Sequence, residues 1–166
     1  MKLRRLALLA LLCQVTACSS SHHATSASQA SVTCKTTPLH RGAAPRWTAP
    51  AWSTSSKGFA SHLRYAIAAN GNVVGVLFGD QLRAGRRENP ANKILWIVRQ
   101  ARNGRPLHIH AQPIGFLASS VSTTWPADSG PGEIYPSITN VPVPGCWRFT
   151  LRWAGHSDVV ALHYSS

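Results

Sequence analysis

The sequence predicts an all-β domain, an antiparallel β-sandwich, and three observations predict it. Long apolar stripes of 3.6-residue period are hard to find; short apolar runs recur instead, separated by Gly, Pro, Asn and Ser. The run "CWRFTLRW" (Cys146–Trp153) alternates strictly, with Trp147, Phe149, Leu151 and Trp153 on one face and Arg148, Thr150 and Arg152 on the other. The dipeptide Asn70-Gly71, lying between two apolar runs, is the strongest short hairpin signal in the chain.

In chain order, strands are expected at Leu63–Ala69, Asn72–Phe78, Lys93–Arg99, Leu107–Pro113, Cys146–Trp153 and Val159–Tyr164. The first is contested. Phe59, Leu63, Ala66 and Ile67 fit a helical stripe, whereas Leu63, Tyr65 and Ile67 fit a strand face, and the turn signal that follows at once favours the strand. Asn70-Gly71 reads as a type I′ turn, with positive φ at both residues. "KILWIV" is apolar on both parities, as a central strand covered on both faces would be. In "LHIHAQP", Leu107, Ile109 and Ala111 face inward and His108 and His110 face water. In the last hairpin, Trp147, Phe149, Leu151 and Trp153 line the core against Val160, Leu162 and Tyr164, with Ala154–Ser157 as the turn. Gly79–Asn92 and Ala118–Glu133 are too long for hairpin turns and read as the candidate binding loops. Arg86 and Arg87 lie in the first of them and Trp125 in the second. Trp125 either plugs the core or contacts a ligand; the plug is the expectation.

The N-terminus says where the domain works. "MKLRR" is a basic n-region, "LALLALLC" an apolar stretch too short to span a bilayer, and Val15-Thr16-Ala17-Cys18 resembles the lipobox of bacterial lipoproteins. That resemblance implies lipidation at Cys18 and removal of residues 1–17 as a lipoprotein signal; a plain secretory signal cut near Ala17 is the alternative. Residues 18–33 then form a polar tether without hydrophobic period, and the sandwich domain spans 34–166. Multiple acyl chains on one cysteine would anchor the protein stably to the membrane. The expected location is extracytoplasmic, in the cell membrane or envelope.

The chain carries 17 Lys and Arg against 5 Asp and Glu; losing Lys2, Arg4 and Arg5 leaves 14, a formal charge of +9. Outside the cytoplasm such a charge points away from nucleic acid and towards anionic lipid head groups, an acidic envelope polymer, another envelope protein or no specific partner at all. Arg99, Arg102 and Arg105 read either as a patch or as an ordinary solvated surface. Export also governs the thiols. Cys13 leaves with the signal and Cys18 is lipidated, so Cys34 and Cys146 remain, and two cysteines in an oxidising compartment pair. Free thiols and an intermolecular bond are the alternatives. Cys146 shares the parity of the arginines, so a bond to Cys34 would tie the incoming segment to the outer side of the last hairpin.

Three motifs, "NPANKILWIVR", "SGPGEIYPS" and "VPVPGCWRFTLRWAGHSD", together resemble a group of exported or lipid-anchored bacterial proteins, actinobacterial in type. The group shares a VP-x-x-GCW-x-x-TLRW ending and an upstream cysteine, here in "TCKTTP". The resemblance covers most of the chain from Cys34 onward. It implies an immunoglobulin-like sandwich with a paired cysteine and implies no activity. The Cys…Trp…Cys spacing of antibody domains is missing.

Chemistry finds little purchase. His108 and His110 leave one strand face together, as metal ligands would, but His156, His163 or a carboxylate would have to complete the set. A cupredoxin needs His₂Cys and an axial ligand that is usually Met; the one methionine is Met1, and a copper-bound Cys146 would strand Cys34. There is no nucleophile elbow, no H-E-x-x-H and no paired carboxylate set, and His156, Ser157 and Asp158 are adjacent on a turn and point apart. The expectation is a binding or scaffolding lipoprotein without cofactor. The alternative is a metal-binding protein or hydrolase built on His108 and His110.

Overall fold

The computed structural model describes residues 34–52, 62–85 and 92–166. Cys18, the signal and tether regions, Phe59, Arg86 and Arg87 lie outside the described residues.

Among the described residues nine strands form two sheets. The first runs β1 (Leu39–His40), β2 (Arg64–Ile67), β3 (Val73–Leu77), β4 (Lys93–Val98) and β7 (Ile134–Ile138), in that spatial order. The second runs β6 (Val121–Trp125), β5 (Leu107–Pro113), β8 (Gly145–Trp153) and β9 (His156–Tyr164). Every pairing within them is antiparallel. The chain crosses between sheets after β4, after β6 and after β7, which returns to lie beside β4. The fold is an all-β antiparallel sandwich. All six expected strands are present, and residues 64–67 are strand, not helix. Three more were not expected. β6 and the start of β7 emerge around a segment that reads as loop, because "VSTTW" is half polar and its pattern is that of an exposed edge.

The core lies between the sheets. Trp96, Tyr135, Trp147, Phe149, Leu151, Trp153 and Tyr164 are all buried within it. The alternation of β8 holds: Arg148 and Arg152 are exposed, while the aromatic face is buried against Val160, Leu162 and Tyr164. Trp96 lies over Gly75, where a Cβ would come within 2.5 Å of the indole, so only glycine fits beneath that ring. The indole N–H donates to Ser137 Oγ at 2.9 Å, which spares a buried donor.

Asn70-Gly71 does not form the expected type I′ turn. Gly71 has φ +69°, but Asn70 is not left-handed. Gly71 N–H bonds to Ala68 O and Ala68 N–H to Val73 O, both at 2.9 Å, which makes a wider turn. The reason lies far away in sequence. The buried Asp158 carboxylate accepts the backbone N–H groups of Asn70 and Asn72, each at 2.9 Å, and that of Val159 at 2.8 Å. A buried charged acceptor outweighs a dipeptide preference. Type I′ geometry appears elsewhere: Asn103 (φ 50°) with Gly104 (φ 69°), and Ala154 (φ 43°) with Gly155 (φ 84°). The latter pair is the whole of the final turn, since Trp153 already pairs with His156.

The N-terminal segment works as a strap. Cys34 and Cys146 form the expected disulfide, with Cα atoms 5.8 Å apart. Thr37 then bonds both backbone groups of Ala161, covering the free edge of β9. After β1, residues Arg46–Trp52 form a 3-10 helix, and Trp47 and Trp52 pack on the outer face of the first sheet, over Tyr65, Val74, Val76, Leu95, Ile97 and Ile134. This is why "KILWIV" is apolar on both parities.

Candidate functional site

The outer face of the second sheet has no such cover among the described residues. Its composition follows from strand parity and register. Arg152 of β8 pairs with His108 of β5 and Ser157 of β9, and His108 pairs in turn with Thr124 of β6. Two residues along, Ser122, His110, Thr150 and Val159 form the next row; beyond it lie Gln112, Arg148 and Ala161. No acidic residue stands in these rows. Asp158, the one acidic residue of these four strands, points inward and is buried. The face is therefore polar and of one sign.

Its histidines are oriented. His108 Nδ1 lies 3.1 Å from Thr124 Oγ1, and His110 Nδ1 lies 2.9 Å from Ser122 Oγ. Each ring is thus held by a hydroxyl of the edge strand. When that hydroxyl donates to Nδ1, or when the ring is protonated, Nε2 carries a proton and can donate outward. The sequence reading of the pair as water-facing holds. As a metal site it lacks partners: among the described residues no three His, Cys, Asp or Glu side chains are grouped to hold a metal ion.

At one end of this face, where β8 turns into β9, a depression of about 920 Å³ is lined by Asn103, Arg105, His108, Arg152, His156 and Ser157 among others. The backbone that carries Arg105 is rigidly built. Arg102 donates its backbone N–H and its Nε to Glu133, at 2.7 and 3.1 Å, and a guanidinium N–H to Gly132 O at 3.0 Å. The type I′ turn closes with Arg105 N–H on Arg102 O at 2.8 Å, and Tyr135 Oη donates to Arg105 O at 2.8 Å. Burial is the main cause pushing the Tyr135 phenol up to about 12; Glu133 raises it further and Arg102 opposes, so the hydroxyl stays a donor at neutral pH. His156 rests against the Trp153 indole, ring centroids 5.7 Å apart. The basic series thus divides by role: Arg102 is consumed in structure, and Arg105 is presented to solvent.

The loop candidates fare differently. Trp125 lies half-buried on β6 and packs against the core, as a plug would. In the first long segment, Asn92 is buried, accepts from Arg83 N–H at 2.9 Å, donates to Arg83 O at 2.8 Å and donates to Asn140 Oδ1 at 2.8 Å. That end of the segment is structural. Sequence reasoning missed the grouping of Arg105, His108, Arg152 and His156, because it depends on the register between β5 and β8.

Among the described residues the sandwich thus has one covered sheet face and one open, basic one. Comparison with known family models, with curated proteins and with solved structures finds no match to this chain.

Proposed function

We propose that the chain is a lipid-anchored protein of the cell envelope whose sandwich binds an anionic envelope polymer through the outer face of the second sheet, without catalysis. One observation carries the reading. Arg148, Arg152, His108 and His110 share a sheet face with Ser, Thr and Gln and with no carboxylate. A face whose formal charges are all positive attracts anions, and salt screens that attraction. The lipid anchor is supported by the Val15–Cys18 motif. The strand neighbourhoods β3-β4-β7 and β6-β5-β8-β9 support an immunoglobulin-like module, with β4 and β7 in the places of its B and E strands and β5, β8 and β9 in those of C, F and G.

Two measurements test it. Cys18→Ser in the full chain should release the protein from membranes or stall its processing, and should abolish labelling by a palmitate analogue; unchanged partition and labelling together would reject the anchor. The released chain should be retained by immobilised anionic envelope polymer and eluted by salt. Retention undiminished in Arg148→Glu/Arg152→Glu would reject the face.

A further inference from the structure

The molecule has two depressions near the ends of β9, and their linings differ in kind. One, of about 260 Å³ beside the strap, includes Arg64 and His163 but also Asp80, with Leu39, Leu77, Leu82 and Leu162 around them. It carries its own carboxylate and its walls are largely aliphatic. The other, of about 920 Å³ at the Ala154–Gly155 turn, is lined by Arg105, Arg152, His108 and His156, with Asn103 and Ser157, and by no acidic residue.

Resting on the reading of this face as an anion-binding surface, we propose that the depression is its specific seat, and that it takes the phosphodiester groups of an envelope polymer. Three features point there. The four cationic or imidazole side chains come from separate elements: the Arg102–Arg105 turn, β5, β8 and the start of β9. His108 and Arg152 rise side by side from neighbouring strands, and Arg105 and His156 join them in lining the one depression. A guanidinium fork fits carboxylate and phosphate alike, but the non-bridging oxygens of a phosphodiester stand on a tetrahedral centre and accept from donors that need not share one plane. Second, the seat is built in advance: Glu133, Arg102 and Tyr135 fix the backbone of Arg105, and Thr124 holds His108 by Nδ1, leaving Nε2 for the ligand. Preorganisation spares the ordering cost that flexible surface cations meet on binding. Third, the depression is open and continuous with the row Arg152–His108–Thr124, so a chain can enter, place one group in the seat and run on across the sheet.

The test uses the full chain carrying Cys18→Ser and three probes: poly(glycerol phosphate), polygalacturonate of matched charge, and phosphatidylglycerol vesicles. Poly(glycerol phosphate) should bind more tightly than either of the others. Arg105→Ala and Arg152→Ala should each weaken it by about tenfold, the equivalent of one charge-assisted hydrogen bond. His108→Gln, which keeps a polar group without an imidazole, should weaken it less, and Arg148→Ala, outside the seat, least. All four positions are solvent-exposed, so their melting temperatures should match the parent's. If Arg148→Ala costs as much as Arg105→Ala while binding persists, the seat is overturned and the face stands. If polygalacturonate binds equally well, the phosphate preference falls; if only vesicles bind, the polymer falls. If no anion binds at all, the seat and the face fall together.

Discussion

The two outer faces of this sandwich are made by the same alternation and end in opposite conditions. On the first sheet, Val74, Val76, Leu95 and Ile97 turn outward and are buried because the chain's own Ala44, Trp47, Ala51 and Trp52 lie over them. On the second sheet, the outward positions of β5 and β8 are His108, His110, Gln112, Arg148, Thr150 and Arg152, and no described segment covers them. The strap begins at the edge of that second face, bonded through Cys34 to Cys146, then crosses the β9 edge and spends its aromatic residues on the first. Among the described residues, the protein closes one face with its own sequence and leaves the other without such a cover.

The contrast can be broken most severely by placing a charge on each face. Val74→Lys puts an ammonium beneath the strap with no partner, and should cost about 4 kcal/mol or more against a total of about 5–15. Thr150→Lys on the open face should stay within about 0.5 kcal/mol in the same urea titration. Equal losses would mean that the faces are not distinct. Next, Cys34→Ser frees the strap at its origin. The disulfide spans 112 residues, and its loss should cost about 2–5 kcal/mol, measured as a lowered urea midpoint. Trp47→Ala, which thins the cover without touching the core between the sheets, should cost about 2 kcal/mol, because its indole is half-buried.

A smaller effect concerns the seat's foundation. Tyr135→Phe removes the hydrogen bond to Arg105 O and should cost about 1 kcal/mol. The sign with pH follows from the raised value. With the folded phenol pushed up to about 12 against an ordinary value of 10.0, the stability it lends is full below pH 10 and is lost as pH climbs towards 12. Tyr164, deeply buried and donating to Thr139 O at 2.7 Å, is raised for the same reason and acts in the same direction. A urea midpoint that fell between pH 7 and 9 would contradict this.

Much of the architecture is legible in the chain because it rests on period-2 patterns. The parity of Trp147 to Trp153, the water-facing His108 and His110, and the two-sided burial of Lys93–Val98 all follow from neighbours in sequence. What covers Lys93–Val98 does not: a 3-10 helix of "RWTAPAW" has no period to announce it. The Asn70-Gly71 turn shows the limit most plainly, since its shape answers to Asp158, which contacts it across the sandwich. The seat has the same character. His108 and Arg152 are ordinary residues until the β5–β8 register sets them side by side. Asn103-Gly104 carries a turn signal in sequence, but nothing local says that Glu133 will bond Arg102 and Tyr135 the backbone of Arg105.

In the proposed function the uncovered face, and not the covered one, is the working surface. A residue-by-residue map of backbone amide shifts, taken on the full Cys18→Ser chain as poly(glycerol phosphate) is added, tests it most directly. Shifts are expected at Arg105, His108, His110, Arg148, Arg152 and His156, with Trp47, Val74 and Leu95 unmoved. Shifts centred on the strap and the first sheet, with the β5 and β8 amides still, would contradict it.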